Sequence, residues 1–370
     1  MKIAKEKLNF LTLYSAVAGS SSKNFYNDKL KIEVGEGTSH FSIISDSIIL
    51  ITEVKGELQV DESFEVMIPV KNLVGLLNSL PEDTILSITE NNISFNSKAR
   101  YSFEKVDEVT PDKAKDILQS FENQSSSLDK LPEINKIQPL LKFIGKDQMS
   151  SIVFDRGHYF SSNSIVMANI PTISSPEKRL NISPGMCSLI KMLDIEGDSI
   201  SIKRYENGVY NFQLGETNVF VPEIESEIPD IHGTEKFEEM NHEINVKIDA
   251  NELLPVLTRM THVVTEKDSS SVSFTFKENE ILIGTKKYNE SVESIVAEVP
   301  KDLEDVRIIF SLDNFLSCVQ TGITFCKNKT LYLGVSKEKD ALNIKISIPL
   351  DKEESQFLYF FLILFEDSVG

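Results

Sequence analysis

The feature that most limits how this chain can fold is an internal repeat, since a pattern that recurs along a sequence builds recurring structural units. From Val66, VMIPVKNLVGLLNSLPEDTILSITENNISFNSKARYSF passes through Ile-Pro into a short helix. Leu76 and Leu77 follow Leu73 by three and four residues, so all three share one helical face. A Pro-Glu-Asp turn comes next, then alternating strands through Ile85, Leu86 and Ile88, through Ile93 and Phe95, and through Tyr101 and Phe103. The same order returns at LNISPGMCSLIKMLDIEGDSISIKRYENGVYNFQLGETNVFVPEI. Here Leu189, Met192 and Leu193 form the helical face, and Asn207-Gly208, two residues that accept positive φ at low cost, marks a hairpin. It returns again at RIIFSLDNFLSCVQTGITFCKNKTLYLGVSKEKDALNIKISIPL. Phe315, Cys318 and Val319 make that face, and strands run from Leu331, Tyr332 and Leu333 to Ile344, Ile346 and Ile348. The equivalent residues Leu77, Leu193 and Val319 lie roughly 120 residues apart, the length of one small domain.

Each unit also opens with an amphipathic helix: KLNFLTLYSAV, INKIQPLLKFIG and DANELLPVLTRMTHVV, in which Leu11, Leu140 and Val256 correspond. Pro139 and Pro255 hold matching places, which suits a first helical turn, where the missing N–H would be unsatisfied anyway. The chain therefore reads as α+β, three repeated domains with two helices packed on one side of a curved antiparallel sheet. Polar stretches at 107–130 and 226–243 read as linkers, which places domains at 1–125, 126–240 and 241–350, with a C-terminal aromatic extension at 351–370.

Charge narrows the function. With 38 basic and 57 acidic residues the net charge is -19, which argues against a protein that wraps nucleic acid in positive charge. An acidic exterior with a small basic face remains compatible. Cys187, Cys318 and Cys326 form no disulfide framework and no thiolate metal site, so they are expected to be reduced and structural, as in a cytoplasmic protein. The N-terminal segment lacks the unbroken apolar run of a signal peptide, and FLYFFLILF is too short to span a bilayer as a helix. No nucleophile elbow, phosphate-binding loop or HExxH motif occurs, and none of the five histidines stands at metal-ligand spacing from another. The expectation is a non-enzyme without metal or cofactor, although a dispersed carboxylate site stays open because catalytic groups need no sequence proximity.

In its order, period and termini the sequence resembles the bacterial-type DNA polymerase III β sliding clamps, in a divergent, bacteriophage-like form. The likeness is strongest from Leu180 to Ile231, where SPGMCSLIKMLDIEGDSISIKR and NFQLGETNVFVPEIESEIPDI follow the family pattern. It extends through VKIDANELLPVLTRMTHVV and I-S-I-P-L. The resemblance implies a head-to-tail homodimer closed into a ring, helices lining the hole and sheets outside. It implies a processivity factor that encircles double-stranded DNA without sequence specificity and partners a DNA polymerase and a clamp loader, with no membrane association. Lys5, Lys7, Lys71, Lys136, Lys142, Lys191 and Arg259 are the implied DNA-facing set. Tyr101 and Phe103 of the first domain and Val263 and Val264 of the third are the implied ring interface.

The family's partner-peptide pocket maps to Ser161, Ser162, Ser164 and Val166, to Ile228 and Pro229, and to Ile346, Ile348 and Leu350. The sequence SSNSIV lacks the family's histidine and arginine there, which implies a different peptide preference. Family chains stop near I-x-I-P-L, so Gln356, Leu358, Phe360 and Phe361 form a candidate tail motif for such a pocket. The alternative is a tail packed on the third domain as an extra strand or short helix. Outside the clamp reading, a β-rich phage structural or interaction protein stays open, as does a clamp fold used for transcription coupling.

Overall fold

The computed structural model describes residues 1–20, 29–45, 48–55, 62–95, 99–102, 113–146, 149–192, 199–224, 244–263, 271–285, 292–326, 329–335, 343–350 and 357–363. The first repeat comprises β1 (Lys2–Ala4), α1 (Leu11–Ser20), β2 (Lys29–Val34), β3 (Thr38–Ile44), β4 (Ile49–Lys55), β5 (Phe64–Pro69), α2 (Val70–Asn78), β6 (Ile85–Ile88), β7 (Asn92–Phe95) and β8 (Ala99–Ser102). A helix outside the repeat, α3 (Ala114–Glu122), follows. The second repeat has β9 (Ser126–Pro132), α4 (Ile137–Leu140), β10 (Ile152–Asp155), β11 (His158–Ser162), β12 (Val166–Pro171), β13 (Leu180–Ile182), α5 (Pro184–Met192), β14 (Ser199–Tyr205), β15 (Val209–Leu214) and β16 (Thr217–Pro222). The third has β17 (Ile244–Asp249), α6 (Ala250–Val263), β18 (Ser271–Lys277), β19 (Glu280–Thr285), β20 (Val292–Val296), β21 (Arg307–Ser311), α7 (Leu312–Phe325), β22 (Thr330–Val335), β23 (Asn343–Pro349) and β24 (Phe357–Ile363). Strand, helix, four strands, helix, three strands thus occurs three times over.

The chain divides into two compact units, Met1–Ile134 with Gly185–Ile224, and Asn135–Pro184 with Glu225–Gly370. Each holds one eight-stranded and one four-stranded antiparallel sheet. In the first unit the long sheet runs β5-β2-β3-β4-β16-β15-β14-β9 and the short one β1-β6-β7-β8. In the second the long sheet runs β13-β10-β11-β12-β24-β23-β22-β17 and the short one β20-β19-β18-β21. Each long sheet is two four-stranded halves joined at a seam, the fourth strand of one repeat bonding to the eighth strand of the next. At the first seam Thr52 of β4 faces Thr217 of β16; at the second Ala168 of β12 faces Phe360 of β24.

Side-chain chemistry holds the first seam from both faces. Tyr14 of α1, fully buried, donates to the Phe41 carbonyl at 2.7 Å and lies 2.9 Å from the Thr52 hydroxyl, which is 2.7 Å from the Thr217 hydroxyl. That chain satisfies three buried hydroxyls that would each cost a desolvation penalty alone. On the opposite face Ile117, Leu118 and Phe121 of α3 pack on Ile51, Tyr205 and Phe220, with Phe121 stacked on Phe220 at 4.4 Å. Glu33 accepts the Ala114 N–H at 2.8 Å, satisfying an end-of-helix donor. The stretch 107–130, read from its polarity as linker, therefore contributes a helix and the strand β9 within its described part.

The C-terminal aromatic segment takes the second of its two expected forms, a strand packed on the third repeat. Phe357–Ile363 is an interior strand bonded to β12 on one side and β23 on the other, and Leu358, Phe360 and Leu362 are fully buried. It occupies in the third repeat the place of β8 in the first and β16 in the second, so it is the repeat's eighth strand rather than an extension. Phe143 packs on Phe360 at 5.2 Å. A Cβ added at Gly322 of α7 would lie 1.8 Å from Ile348 Cδ1, so glycine is what lets this helix close on β23. Two smaller corrections concern turns and prolines. Between β14 and β15 only Gly208 takes positive φ (76°), giving a three-residue loop with the Asn207 side chain accepting the Val209 N–H. Pro255 lies inside α6, which starts at Ala250 because Asp249 caps Asn251 N–H at 2.7 Å. All three cysteines are free and buried.

Removing the Tyr14 hydroxyl tests the seam directly. Tyr14→Phe is expected to cost about 1–2 kcal/mol, read as a lower urea midpoint with an unchanged slope.

Candidate functional site

The helical side of the sheets carries the basic residues singled out from sequence, and they separate into groups. Lys7, Lys71 and Lys142 are exposed. Lys5 is not available: it is 8% exposed, donates to the Leu80 carbonyl at 2.7 Å and pairs with Glu82 at 2.8 Å. Its partner stands in the turn after α2, a proximity that no local pattern announces. Lys136 is half-buried and donates to the Pro171 carbonyl at 2.7 Å. Arg259, on the exposed face of α6, is held by both carboxylate oxygens of Glu293 on β20, with Nε at 2.9 and 3.1 Å. Lys191 lies in α5, but its side chain is outside the described residues. The exposed positions of α7 are polar and carry Asp313 as their only charge. Free positive charge on these faces is sparse.

The residues proposed for a partner pocket lie in the second unit, and most do not line an opening. Ser161, Val166, Ile346 and Ile348 are 0–1% exposed, pointing into the core beneath the long sheet. Ile346 faces Phe360 and Ile348 faces Leu358 across β23 and β24, and α7 closes on Ile348 and Phe360 at Gly322. Ser162 is buried, Ser164 is exposed with φ 72°, and Leu350 is half-buried just past β23. Ile228 and Pro229 lie outside the described residues, as does Gln356 of the tail motif.

Each short sheet ends in two strands with a single neighbour among the described residues, β1 and β8 in the first and β20 and β21 in the second; β8 and β20 are the eighth and fourth strands of their repeats, the positions that meet at the seams. β8, which contains Tyr101, bonds only to β7; β20 bonds only to β19. Phe103 and Val264 lie outside the described residues, and Val263 closes α6 with 42% exposure. The residues missed from sequence are on β20, where Val292 and Val296 are 49% and 76% exposed while Ile295 is buried. The period-two alternation of VESIV, apolar at both ends of the solvent-facing row, was the available signal.

A cleft of about 690 Å³ opens in the first unit, beside α3, lined among others by Glu33, His40, Glu53, Lys55, Glu65 and Lys113. Its charges are largely matched within the wall: His40 and Lys55 each reach Glu53 at 3.2 Å, and Lys113 reaches Glu65 at 3.0 Å. That hydrogen bond from Lys113 holds the Glu65 carboxyl below the usual carboxylate range, against the opposing pull of partial burial. Among the described residues no group of three or more histidine, cysteine or acidic side chains is placed to hold a metal ion, and no helix is long and apolar enough to cross a membrane.

No family model and no curated protein sequence matches the chain. Solved structures do. Caulobacter crescentus pol III beta superposes with a TM-score of 0.77 at 12% identity, covering 99% of both chains. The DNA polymerase sliding clamp of Pseudomonas aeruginosa gives 0.77 at 13% identity, again over 99% of both. A sliding clamp from Bartonella birtlesii gives 0.72 at 12% identity over 99% of both. The chain has the fold of the bacterial DNA polymerase III β sliding clamps. Near-complete coverage of both partners also agrees with β24 being part of that fold.

The ion pairs around α3 give this region a pH signature. Because the folded Glu65 pKa is depressed, its stabilisation is present above the unfolded value of about 4.3 and is lost as pH falls through the lower folded value. Glu65→Gln should therefore lower the urea midpoint at about pH 7 and leave it close to wild type at about pH 3.

Proposed function

We propose that this chain is a DNA sliding clamp, a non-catalytic processivity factor whose two copies close head to tail around duplex DNA. The observation that carries the reading is the arithmetic of the half-sheets. Twice within the chain, a fourth strand joins the next repeat's eighth strand to complete eight strands. The halves left over end in β20, a fourth strand, and β8, an eighth strand. A second copy that pairs its β8 with this β20, and the reverse, applies the same rule and completes two further eight-stranded sheets. Three domains, at about 1–125, 126–240 and from 241 through β24, follow from the same count.

A ring retained by topology needs no tight grip on phosphate. The net charge of -19 and the sparse set Lys7, Lys71 and Lys142 suit contact that slides rather than reads bases. A polymerase and a clamp loader would use the surface near Ser164 and Leu350. A phage-type origin and a host-cytoplasm location rest on sequence divergence alone.

Light scattering over a dilution series should give a dimer that dissociates only at low concentration, and the loaded protein should stay on circular but not on linear DNA. A monomer at every concentration, or equal loss from both DNA forms, would reject the clamp. Val296→Asp, at an exposed edge position, should shift the dilution series toward monomer with little change in melting temperature. Joint neutralisation of Lys7, Lys71 and Lys142 should speed loss from circular DNA while leaving the dimer intact.

A further inference from the structure

One helical position meets a seam strand in the first two repeats and a terminal strand in the third. Three residues beyond the equivalent Leu11, Leu140 and Val256 stand Tyr14, Phe143 and Arg259. Tyr14 bonds to Thr52 of β4, which is joined to Thr217 of β16 at the first seam. Phe143 packs on Phe360 of β24, the strand joined to Ala168 of β12 at the second seam. Arg259 donates to both carboxylate oxygens of Glu293 on β20, whose other edge has no partner among the described residues. Two of these contacts are buried, whereas the Arg259 and Glu293 side chains keep 55% and 34% of their surface in water.

We infer that Arg259 and Glu293 form the helix-side brace of a strand seam with β8 of a second copy of this chain, and that this brace loosens with salt as the two within the chain do not. The inference rests on the clamp reading above and assigns Arg259 a positioning role in assembly in place of the DNA contact expected from sequence. The brace fixes β20 on α6 in the posture that a pairing strand needs, so less ordering is required when that strand arrives. Exposed charges are screened within about 8 Å at physiological ionic strength, whereas a buried hydroxyl chain or a ring contact is not. The seam between copies is also the one that can part without breaking the fold of a chain, and it is there that the contact is ionic.

The test compares dimer dissociation constants of the wild type, Arg259→Glu, Glu293→Arg and the double exchange at about 50 mM and about 500 mM salt. Each single change puts like charges together at both seams of a dimer, so dissociation should strengthen by about tenfold or more at low salt. The double exchange should recover most of the loss, and the gap between singles and wild type should shrink at high salt. Singles that dimerise like the wild type overturn the inference alone, and faster loss from circular DNA in those variants would return Arg259 to the DNA face. A double exchange no better than the singles also overturns it. A wild type that is monomeric at every concentration overturns the clamp reading itself, a result distinguishable from the others because it appears before any substitution.

Discussion

Antiparallel pairing between the fourth strand of one repeat and the eighth strand of the next is the constraint on which the rest of this structure depends. A four-stranded half-sheet has a core face covered by helices and two edges of unpaired N–H and C=O groups, and an open edge is a site for unwanted pairing. Joining halves at a seam removes one edge from each and makes a continuous eight-stranded ladder. Helix position, burial of the tyrosine and phenylalanine beneath the seams, and the placement of α3 all follow from where those joins fall. The two seams share a backbone rule but not a chemistry. The first is closed by a chain of hydroxyls, the second by aromatic packing, so the rule is set by strand order rather than by particular side chains.

α3 breaks the threefold pattern. It lies on the face of the first seam opposite Tyr14, with Phe121 against Phe220 and Tyr205; the Ala114 N–H bonded to Glu33 of β2 and the Lys113–Glu65 ion pair to β5 hold its N-terminal end. The acidic excess of the chain is thus partly organised: lysines such as Lys31 and Lys113 sit among Glu33 and Glu65. Basic residues used this way are already paired with carboxylates, and free positive charge on the helical faces is sparse.

The repeat, the helices and most strands were legible because apolar spacing at two and at 3.6 residues is written locally: Leu73 and Leu77 are buried in α2, and Leu86, Ile88 and Ile93 are buried in their strands as the alternation requires. What failed was information held between distant residues. β23 and β24 both alternate, so neither strand's local pattern says which of them closes the repeat. α3 was hidden by its polar outer face, its apolar side being a short set, Ala114, Ile117, Leu118 and Phe121. Lys5 looked like a solvent lysine because Glu82 is remote in sequence. The half-sheet edges, which support the functional reading, appear only once the ladder is drawn.

The order of the strands along the chain has a consequence for synthesis. β12 leaves the ribosome with its seam edge bare, and its partner β24 is made about 190 residues later. At ordinary elongation rates that is a wait of roughly 10–40 s, during which an apolar strand such as VMANIP can pair with whatever strand is near. β4 waits similarly for β16. Production of this protein is therefore a timing problem: slow elongation or crowded polysomes lengthen the interval in which half-built sheets from neighbouring nascent chains can join each other.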